Sequence, residues 1–263
     1  MKLLVVGAGE MGRWFGAVVA ARIEEADVAF ADADPETAEE AAAEVGESAP
    51  CRAVSLSTDE RFDAVCVAVP MSAAEAAIED HAPKAEEALV DVTGQMTAPV
   101  AVMRSAAPDR ERVSLHPLFA PSNAPGNVAV VADQRGPTTD RILDALETEG
   151  NLLVETSAGE HDEAMETVQA KTHAAVLSFG LAGDDVPEGL TTPIFEELSA
   201  VAEQVTGNAP EVYAEIQDAF GGAEEIARAA RRLADADEAE FAELYRDASE
   251  PADETRDRRD DEP

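Results

Sequence analysis

The chain has 263 residues, enough for a nucleotide-binding domain of about 150 residues and a smaller second domain, and its 56 acidic and 19 basic residues give a formal net charge of −37. A surface this acidic excludes nucleic acid and anionic membranes as partners, because phosphate groups are bound by clustered Lys and Arg. It is typical of a protein dissolved in molar salt and predicts a salt-accumulating cytoplasm.

Cysteine usage and apolar runs exclude two further classes of protein. Cys51 and Cys66 are too few for a disulfide framework, and we expect both to be reduced packing residues. The longest apolar runs have the length of strands, so neither a signal peptide nor a membrane span is predicted. No metal site is predicted.

The first elements are an apolar strand at 2–6, a glycine-rich turn and a helical pattern. The turn reads Gly7-Ala-Gly9-Glu10-Met11-Gly12, a G-x-G-x-x-G motif in the context that dinucleotide binding requires. The first glycine permits the tight turn, the second lets the backbone approach a pyrophosphate, and the third lets the helix lie close to the strand. We therefore predict that Gly7, Gly9, Glu10, Met11 and Gly12 contact a dinucleotide.

The second strand, at 28–32, ends in a carboxylate. Asp32 lies about twenty residues past the glycine loop, where an acidic residue binds the ribose 2′-hydroxyl, and this favours NAD over NADP. Asp34 is the alternative ribose ligand, or else the N-cap of the helix that starts at Pro35. Arg13, next to the loop, is the one residue that argues for a 2′-phosphate.

Further strands at 64–69, 88–92, 128–132 and 152–156 alternate with helical segments at 72–80, 98–106 and 138–148. This alternation predicts an α/β fold with a doubly wound (Rossmann) parallel sheet over residues 1–157. Ligands bind at the carboxyl ends of such strands, so Val69 and Pro70, which end one of them, are predicted to contact the cofactor.

His116 follows a short strand pattern that contains Val113 and Leu115, and it precedes a loop stiffened by Pro117 and Pro121. A single histidine is weak evidence of function, since backbone groups at a strand end often satisfy one. Its place at the carboxyl edge of the sheet favours a catalytic role for His116.

From residue 159 onward the pattern is helical only, with periodic segments at 160–181, 192–205, 210–234 and 238–248. This predicts an all-helical domain at 158–248, followed by a disordered acidic tail at 249–263. The first of these helices carries His161, Gln169, Lys171 and His173, and positions 161, 165, 169 and 172 or 173 would share one face. His81 is expected to be a solvated surface residue.

Several of these motifs, in this order, resemble the prephenate dehydrogenase family of tyrosine biosynthesis. The resemblance spans about residues 1–245 and is carried by Gly7–Phe15, Val69-Pro70, Val90-Asp-Val-Thr93, His116-Pro-Leu-Phe-Ala-Pro121, Glu160-His-Asp162 and Gln169-Ala-Lys-Thr-His173. It implies oxidative decarboxylation of prephenate to 4-hydroxyphenylpyruvate with NAD, or the same reaction on arogenate. It also implies a homodimer formed through the helical domains.

The resemblance implies a role for each site residue. His116 matches the catalytic base that takes the proton of the substrate's ring hydroxyl. His161 and His173 match histidines that line the substrate cavity, and Gln169 lies between them in sequence. An imidazole with a pKa near neutrality suits the work of such a base.

The chain departs from the family pattern at two positions. Gly94 stands where the family often has a serine that supports the histidine, and Gly222 stands where it has an arginine for a substrate carboxylate. The cation that a dianionic substrate needs is then to be found among Lys171, Arg228, Arg231 and Arg232.

Two competing functions remain open from the sequence. A β-hydroxyacid-type dehydrogenase would use Lys171 as its base, and a non-catalytic dinucleotide sensor would need neither the serine nor the arginine.

Overall fold

The computed structural model describes residues 1–46, 50–184, 186–187 and 189–249. The predicted tail at 249–263 lies outside them, except for Ser249, which ends the last helix. Within the described residues, no helix is long and apolar enough to cross a membrane.

Eight strands form one sheet in the order β3-β2-β1-β4-β5-β6-β7-β8. The strands are β1 (Lys2–Val6), β2 (Asp27–Ala31), β3 (Cys51–Ala53), β4 (Phe62–Val67), β5 (Ala85–Val92), β6 (Glu111–Pro117), β7 (Asn127–Gln134) and β8 (Leu152–Glu155). The predicted doubly wound sheet is confirmed. The short edge strand β3 was not predicted, because its three residues form no apolar run.

The sheet is parallel except for one pair. β6 and β7 are antiparallel, with His116 opposite Ala129, whereas β7 and β8 are parallel again. The predicted parallel sheet thus contains one antiparallel pair, which the sequence did not indicate. The physical reason is the short connection at 118–126, since a parallel crossover needs a dozen or more residues and usually a helix.

Five helices cover the two faces of the sheet: α1 (Glu10–Arg22), α2 (Pro35–Val45), α3 (Met71–His81), α4 (Thr97–Ala106) and α5 (Pro137–Thr148). One face buries apolar side chains of α1, α2 and α5, among them Phe15 and Leu146. The other face buries side chains of α3 and α4, among them Ile78 and Met103. Alternate residues of each strand thus enter two separate hydrophobic cores.

The rest of the described chain is helical, as predicted, with two differences in where the helices break. The predicted helix at 160–181 is α6 (Ala158–Met165), a π-helical segment (Glu166–Lys171) and α7 (Thr172–Ala182). The predicted helix at 210–234 is two helices, α9 (Pro210–Phe220) and α10 (Ala223–Asp235). They separate at Gly221 and Gly222, whose φ angles are +69° and +108°, because a residue in this region ends a right-handed helix. The remaining helices are α8 (Pro193–Thr206) and α11 (Glu238–Ser249).

By its internal contacts the chain divides into two compact units. The first contains Met1–Val168 and Ala209–Phe220, and the second contains Gln169–Asn208 and the helices after Gly221. In the second unit, Phe179 of α7 packs edge to face on Phe195 of α8, with ring centroids 5.9 Å apart. The predicted domain boundary between 157 and 158 stays a prediction, because these units describe contacts and not independent folding.

Candidate active site

The glycine loop connects β1 to α1 at the carboxyl edge of the sheet. Gly7 has a φ of +95°, and a Cβ there would collide with the carbonyl of Ala68. A Cβ on Gly12 would collide with the carbonyl of Gly7, so the close contact between helix and loop requires glycine at both positions. A Cβ on Gly9 would meet nothing within 4 Å. The open side at Gly9 leaves room for a pyrophosphate against the start of α1, so the loop fits a dinucleotide.

The other residues predicted to contact the cofactor lie around this loop. Glu10 and Met11 are the first residues of α1, exposed and half-buried respectively. Val69 and Pro70 follow β4, and Pro70 is the residue before α3 begins. All four lie at the carboxyl edge, where the sequence predicts them.

The carboxylate of Asp32 is held beside the glycine loop by hydrogen bonds from backbone N–H groups. Its Oδ2 accepts a hydrogen bond from the N–H of Ala8 at 2.7 Å, and its Oδ1 accepts one from the N–H of Asp34 at 3.0 Å. Asp34 instead accepts from the N–H of Glu36 and is the N-cap of α2. The geometry therefore separates the two carboxylates that the sequence left as alternatives.

Arg13 is engaged by α2. Its guanidinium lies 2.9 Å from Glu44 and 3.3 Å from Glu40, and its Nε donates to the carbonyl of Ala8. Two carboxylates already compensate this charge, which weakens the one argument in the sequence for a 2′-phosphate.

His116 lies inside β6 and not, as predicted, between a strand and a loop. Its backbone is fixed by its own pairing with Ala129 of β7 and by the pairing of the preceding Leu115 with Val92 of β5, and its side chain is buried. The segment after it is tied to α1, because Phe119 packs edge to face on Trp14 with ring centroids 5.4 Å apart. Strand pairing thus fixes the position of His116, in addition to the stiffening of the following loop by Pro117 and Pro121.

A line of hydrogen bonds connects His116 to a carboxylate. His116 Nδ1 lies 2.8 Å from His161 Nε2, and His161 Nδ1 lies 2.9 Å from Asp162 Oδ1. The two rings pack edge to face with centroids 5.0 Å apart. Asp162 also accepts hydrogen bonds from the backbone N–H groups of Met96 and Thr97, each at 3.0 Å.

Burial changes the basicity of His116. It lowers the pKa of the imidazole to about 3, the nearby His161 acts in the same direction, and the charge of Asp162 opposes both. The pKa near neutrality expected from the sequence is therefore wrong for the protein without substrate. At neutral pH His116 is uncharged, which is the form that accepts a proton.

Asp91, Thr93 and Ser114 form a buried polar group that the sequence analysis did not predict. Asp91 and Ser114 are opposite each other in β5 and β6 and are fully buried. Thr93 Oγ1 lies 2.6 Å from Asp91 Oδ2 and 2.9 Å from the carbonyl of Gln95. The hydroxyl has one proton and the carbonyl only accepts, so both contacts are hydrogen bonds only if the Asp91 carboxyl is protonated. The one signal in the sequence is an aspartate within an apolar strand.

The pKa of Asp91 agrees with this proton count. Burial raises it to about 7, although the neighbouring hydroxyls of Thr93 and Ser114 act in the opposite direction. Burial thus brings the protonated form of Asp91 within reach at neutral pH.

Gln169, Lys171 and His173 belong to the second unit, with Gln169 and Lys171 in the π-helical segment and His173 just after it. All three are half-buried, whereas Ala170 and Ala174 are buried. The buried positions of the long helix are 161, 165, 170, 174 and 176, whereas 169 and 172 or 173 of the predicted shared face are not buried, because a π turn adds one residue to the helical period. Burial lowers the pKa of His173.

His81 is not the solvated residue that the sequence predicts. It is buried at the end of α3, and its Nδ1 lies 3.0 Å from the ammonium of Lys84. Burial lowers its pKa, and the charge of Lys84 acts in the same direction.

Comparison with known proteins identifies the family. A family model described as the oxidoreductase family with an NAD-binding Rossmann fold matches residues 1–92. A 4-amino-4-deoxyprephenate dehydrogenase from Streptomyces pristinaespiralis is 33% identical over 203 residues, which cover 70% of this chain and 68% of that protein. The chain belongs to the prephenate dehydrogenase family. It is a dehydrogenase with an NAD-binding Rossmann domain.

Other relatives of this family match shorter parts of their own chains or share only the fold. A "Probable arogenate/prephenate dehydrogenase" from Methanocaldococcus jannaschii is 27% identical over 62% of this chain and 40% of its own. Prephenate dehydrogenase from Aquifex aeolicus, in complex with hydroxyphenyl propionate and NAD+, has a TM-score of 0.69 at 15% identity, covering 95% of this chain and 92% of that one. Synechocystis arogenate dehydrogenase has a TM-score of 0.61 at 17% identity, covering 94% and 97%.

The structure gives a steric context for the two departures from the prephenate dehydrogenase pattern. A Cβ on Gly94 would lie 2.9 Å from Sδ of Met71. A Cβ on Gly222 would lie 2.8 Å from the backbone of Ala170 and Lys171, at a φ of +108° that disfavours any side chain. An arginine at position 222 is therefore incompatible with this backbone.

Proposed function

We propose that this chain is a prephenate dehydrogenase that converts prephenate to 4-hydroxyphenylpyruvate and CO2 with reduction of NAD. The observation that supports this most directly is the buried, uncharged His116 at the carboxyl edge of an NAD-binding sheet. Membership of the family argues against both the β-hydroxyacid-type enzyme with Lys171 as base and the non-catalytic sensor.

The cofactor site is built from the loop at Gly7–Gly12 and from Asp32. NAD, when bound, supplies the acceptor for the hydride. The backbone N–H groups at the start of α1 would hold the pyrophosphate, and Asp32 would accept hydrogen bonds from the adenosine ribose. Glu10, Met11, Val69 and Pro70 complete the proposed contacts.

His116 would act as the general base. The ring carbon that bears the hydroxyl loses its hydrogen with the bonding electron pair, and His116 takes the hydroxyl proton, so that a carbonyl begins to form. The ring carboxylate leaves as CO2, its electron pair makes the ring aromatic, and the former carbonyl oxygen regains a proton to become the phenol. The lowered pKa keeps the imidazole uncharged before the proton arrives.

The substrate contacts rest on the resemblance alone. The proposed substrate ligands are Gln169, Lys171 and His173. The family pattern also makes His161 a substrate ligand, although both of its ring nitrogens are hydrogen-bonded within this chain. Arg228, Arg231 and Arg232 are exposed on α10. A homodimer through the helical domain remains a proposal on the same ground, and a cytoplasmic location remains one on the ground of the acidic composition.

The direct test is NADH formation by the purified protein in molar KCl with prephenate, arogenate or 4-amino-4-deoxyprephenate as substrate. We expect the highest kcat/KM with prephenate. A clear preference for arogenate or for the ring amine would keep the chemistry and change the substrate. Absence of NADH with all three would overturn the proposal.

His116→Asn tests the base. The amide can keep a hydrogen bond from the position of Nδ1 but cannot accept a proton at useful pH, so kcat should fall by about 10² to 10⁴. NAD affinity and melting temperature should change little. His81→Asn is the matched control, because His81 is an equally buried histidine in α3, and it should keep its kcat. A His116→Asn enzyme with most of its turnover would make Lys171 the next residue to test.

The pH dependence follows from the lowered pKa. Because burial moves the pKa of His116 below its usual 6.5, the acid limb of kcat/KM in the wild type should lie below pH 6, and it should be absent from His116→Asn. A limb centred at or above 6.5 would contradict this prediction.

A further inference from the structure

Asp162 is a fixed anion at the start of a helix. It accepts hydrogen bonds from the N–H groups of Met96 and Thr97, where α4 begins, and the positive end of a helix dipole favours a carboxylate there. Burial acts to raise the pKa of Asp162, but the hydrogen bonds from His161, Thr97 and Met96 outweigh it and lower the pKa. Asp162 is therefore ionised at neutral pH and only accepts hydrogen bonds.

The protons of the two histidines follow from this anion. Because the carboxylate only accepts, His161 donates to it from Nδ1. With that as its only ring proton, His161 offers Nε2 as an acceptor. His116 must in turn donate from Nδ1 to His161 Nε2, which leaves the lone pair of His116 on Nε2. The orientation of the catalytic imidazole and the position of its proton are thus set from Asp162 through His161.

In the family pattern, a serine often supports the catalytic histidine. The chain has Gly94 at that position, beside Sδ of Met71. His161 is buried, and both of its nitrogens are hydrogen-bonded within the protein, to His116 and to Asp162. Its geometry suits holding another side chain better than binding a substrate.

We propose that His161 and Asp162 are positioning residues, which hold His116 in the tautomer that carries its proton on Nδ1 and presents Nε2 as the base. The proposal rests on the proposed function, since it assumes that His116 is the base of the reaction.

The first test is spectroscopic and needs no substrate. The tautomer of a histidine is read from its ring nitrogen shifts in a long-range proton–nitrogen NMR spectrum of protein labelled with ¹⁵N-histidine. The chain has four histidines, and the His116→Asn and His161→Phe variants assign the two signals. We expect wild-type His116, and His161 with it, to be protonated on Nδ1 at pH 7. A His116 protonated on Nε2, or a doubly protonated His161, would overturn the proposal.

The second test compares two replacements of His161 by kinetics. His161→Phe keeps a ring for packing but removes the acceptor, whereas His161→Gln keeps an amide oxygen that can accept from His116 Nδ1. We expect kcat to fall by roughly 10² or more in His161→Phe and to be partly restored in His161→Gln, with NAD affinity unchanged in both. A purely structural role predicts the opposite order, because phenylalanine is better suited than glutamine to a buried site.

Controls separate this proposal from the proposed function. His81→Phe introduces the same change at another buried histidine and should keep its kcat. If no substrate is turned over by the wild type, the proposed function fails while the tautomers remain measurable. If the wild type is active and His161→Phe retains both its kcat and the His116 tautomer, the positioning role fails while the proposed function stands.

Discussion

Asp91 and His116 lie on neighbouring strands and respond to burial in opposite ways. Burial raises the pKa of Asp91 to about 7 and lowers that of His116 to about 3, because it disfavours the charged form of each. Between these values and the ordinary ones, folded Asp91 binds more protons than unfolded Asp91, and folded His116 binds fewer. Because of His116, the free energy of unfolding therefore decreases as pH falls from about 6.5 towards 3. Because of Asp91, it decreases as pH rises from about 4 to 7.

Asp91→Asn tests the buried acid. Asparagine is uncharged at every pH and can donate to Thr93 as a protonated carboxyl does. The variant should therefore gain stability relative to the wild type as pH rises from 4 to 8, by an amount on the order of a few kcal/mol. Denaturant unfolding at fixed KCl measures this difference. Asp109→Asn, at an exposed carboxylate, is the control, and a difference for Asp91→Asn that does not vary with pH would refute the assignment.

Asp32→Ala tests the choice between NAD and NADP. We expect the wild type to bind NAD and to bind NADP poorly, because a carboxylate repels a 2′-phosphate and Arg13 is paired with Glu40 and Glu44. Asp32→Ala should reduce the difference between the affinities for NAD and NADP. Asp34→Ala is the control: it removes the N-cap of α2, at a cost of about 1 kcal/mol of stability, without changing the preference. A wild type that prefers NADP tenfold, about 1.4 kcal/mol, would show that the role of Asp32 is wrong.

At the scale of elements, carboxylates from the helical part of the chain bind the N-termini of helices in the nucleotide-binding part. Asp162 of α6 accepts from the first N–H groups of α4, and Glu215 of α9 accepts from the N–H of Met71 and the hydroxyl of Ser72 at the start of α3. These N–H groups have no partner within their own helices, so each carboxylate satisfies them and interacts favourably with the helix dipole. This is how α6 and α9 are held within the first compact unit.

The break between α9 and α10 depends on Gly222. A Cβ there would lie 2.8 Å from the backbone of Ala170 and Lys171, and the φ of +108° is itself unfavourable for other residues. Gly222→Ala should therefore lower the free energy of unfolding by roughly 2 to 4 kcal/mol, from backbone strain and from the displaced contact together.

The neighbouring glycine provides the control for this prediction. Gly221 also has a positive φ, but a Cβ there would meet nothing within 4 Å, so Gly221→Ala should cost only the strain, roughly 1 to 2 kcal/mol. Denaturant unfolding of both variants at one KCl concentration gives the comparison. Equal costs would show that the contact with the π-helical segment does not matter.

At the scale of the whole molecule, the net charge of −37 should make stability depend on salt. Several arginines of the described residues pair with carboxylates, as Arg52 does with Asp27 and Glu60, but the acidic residues far outnumber the basic ones. Their mutual repulsion is screened as the Debye length falls from about 10 Å at 0.1 M to about 3 Å at 1 M salt.

We therefore expect the melting temperature to rise with KCl from tenths molar to several molar. Sucrose at equal osmolality is the control, because it is excluded from the protein surface without screening charge. A melting temperature that does not change with KCl would remove the argument for a salt-adapted protein and leave the fold untouched.

The order of strands and helices, the glycine loop and the helical second half were predictable from the sequence, because each depends on residues close together in the chain. Apolar periodicity reports which face of a strand or helix is buried, and the steric limit at Gly12 acts within the loop, against the carbonyl of Gly7. The motif around His116 also predicted that this histidine lies at the carboxyl edge of the sheet, whereas its role as the base stays a prediction.

Only the tertiary structure determined the contacts between residues that are distant in sequence. His116 and His161 are 45 residues apart, and the N–H groups that bind Asp162 lie 65 and 66 residues before it. The antiparallel β7, the π turn that shifts the buried face of the long helix, and the burial of His81 are likewise set by packing. No periodicity encodes these, because hydrogen bonds and burial between distant segments depend on where the whole fold places them, and the pKa values of Asp91 and His116 depend on that burial.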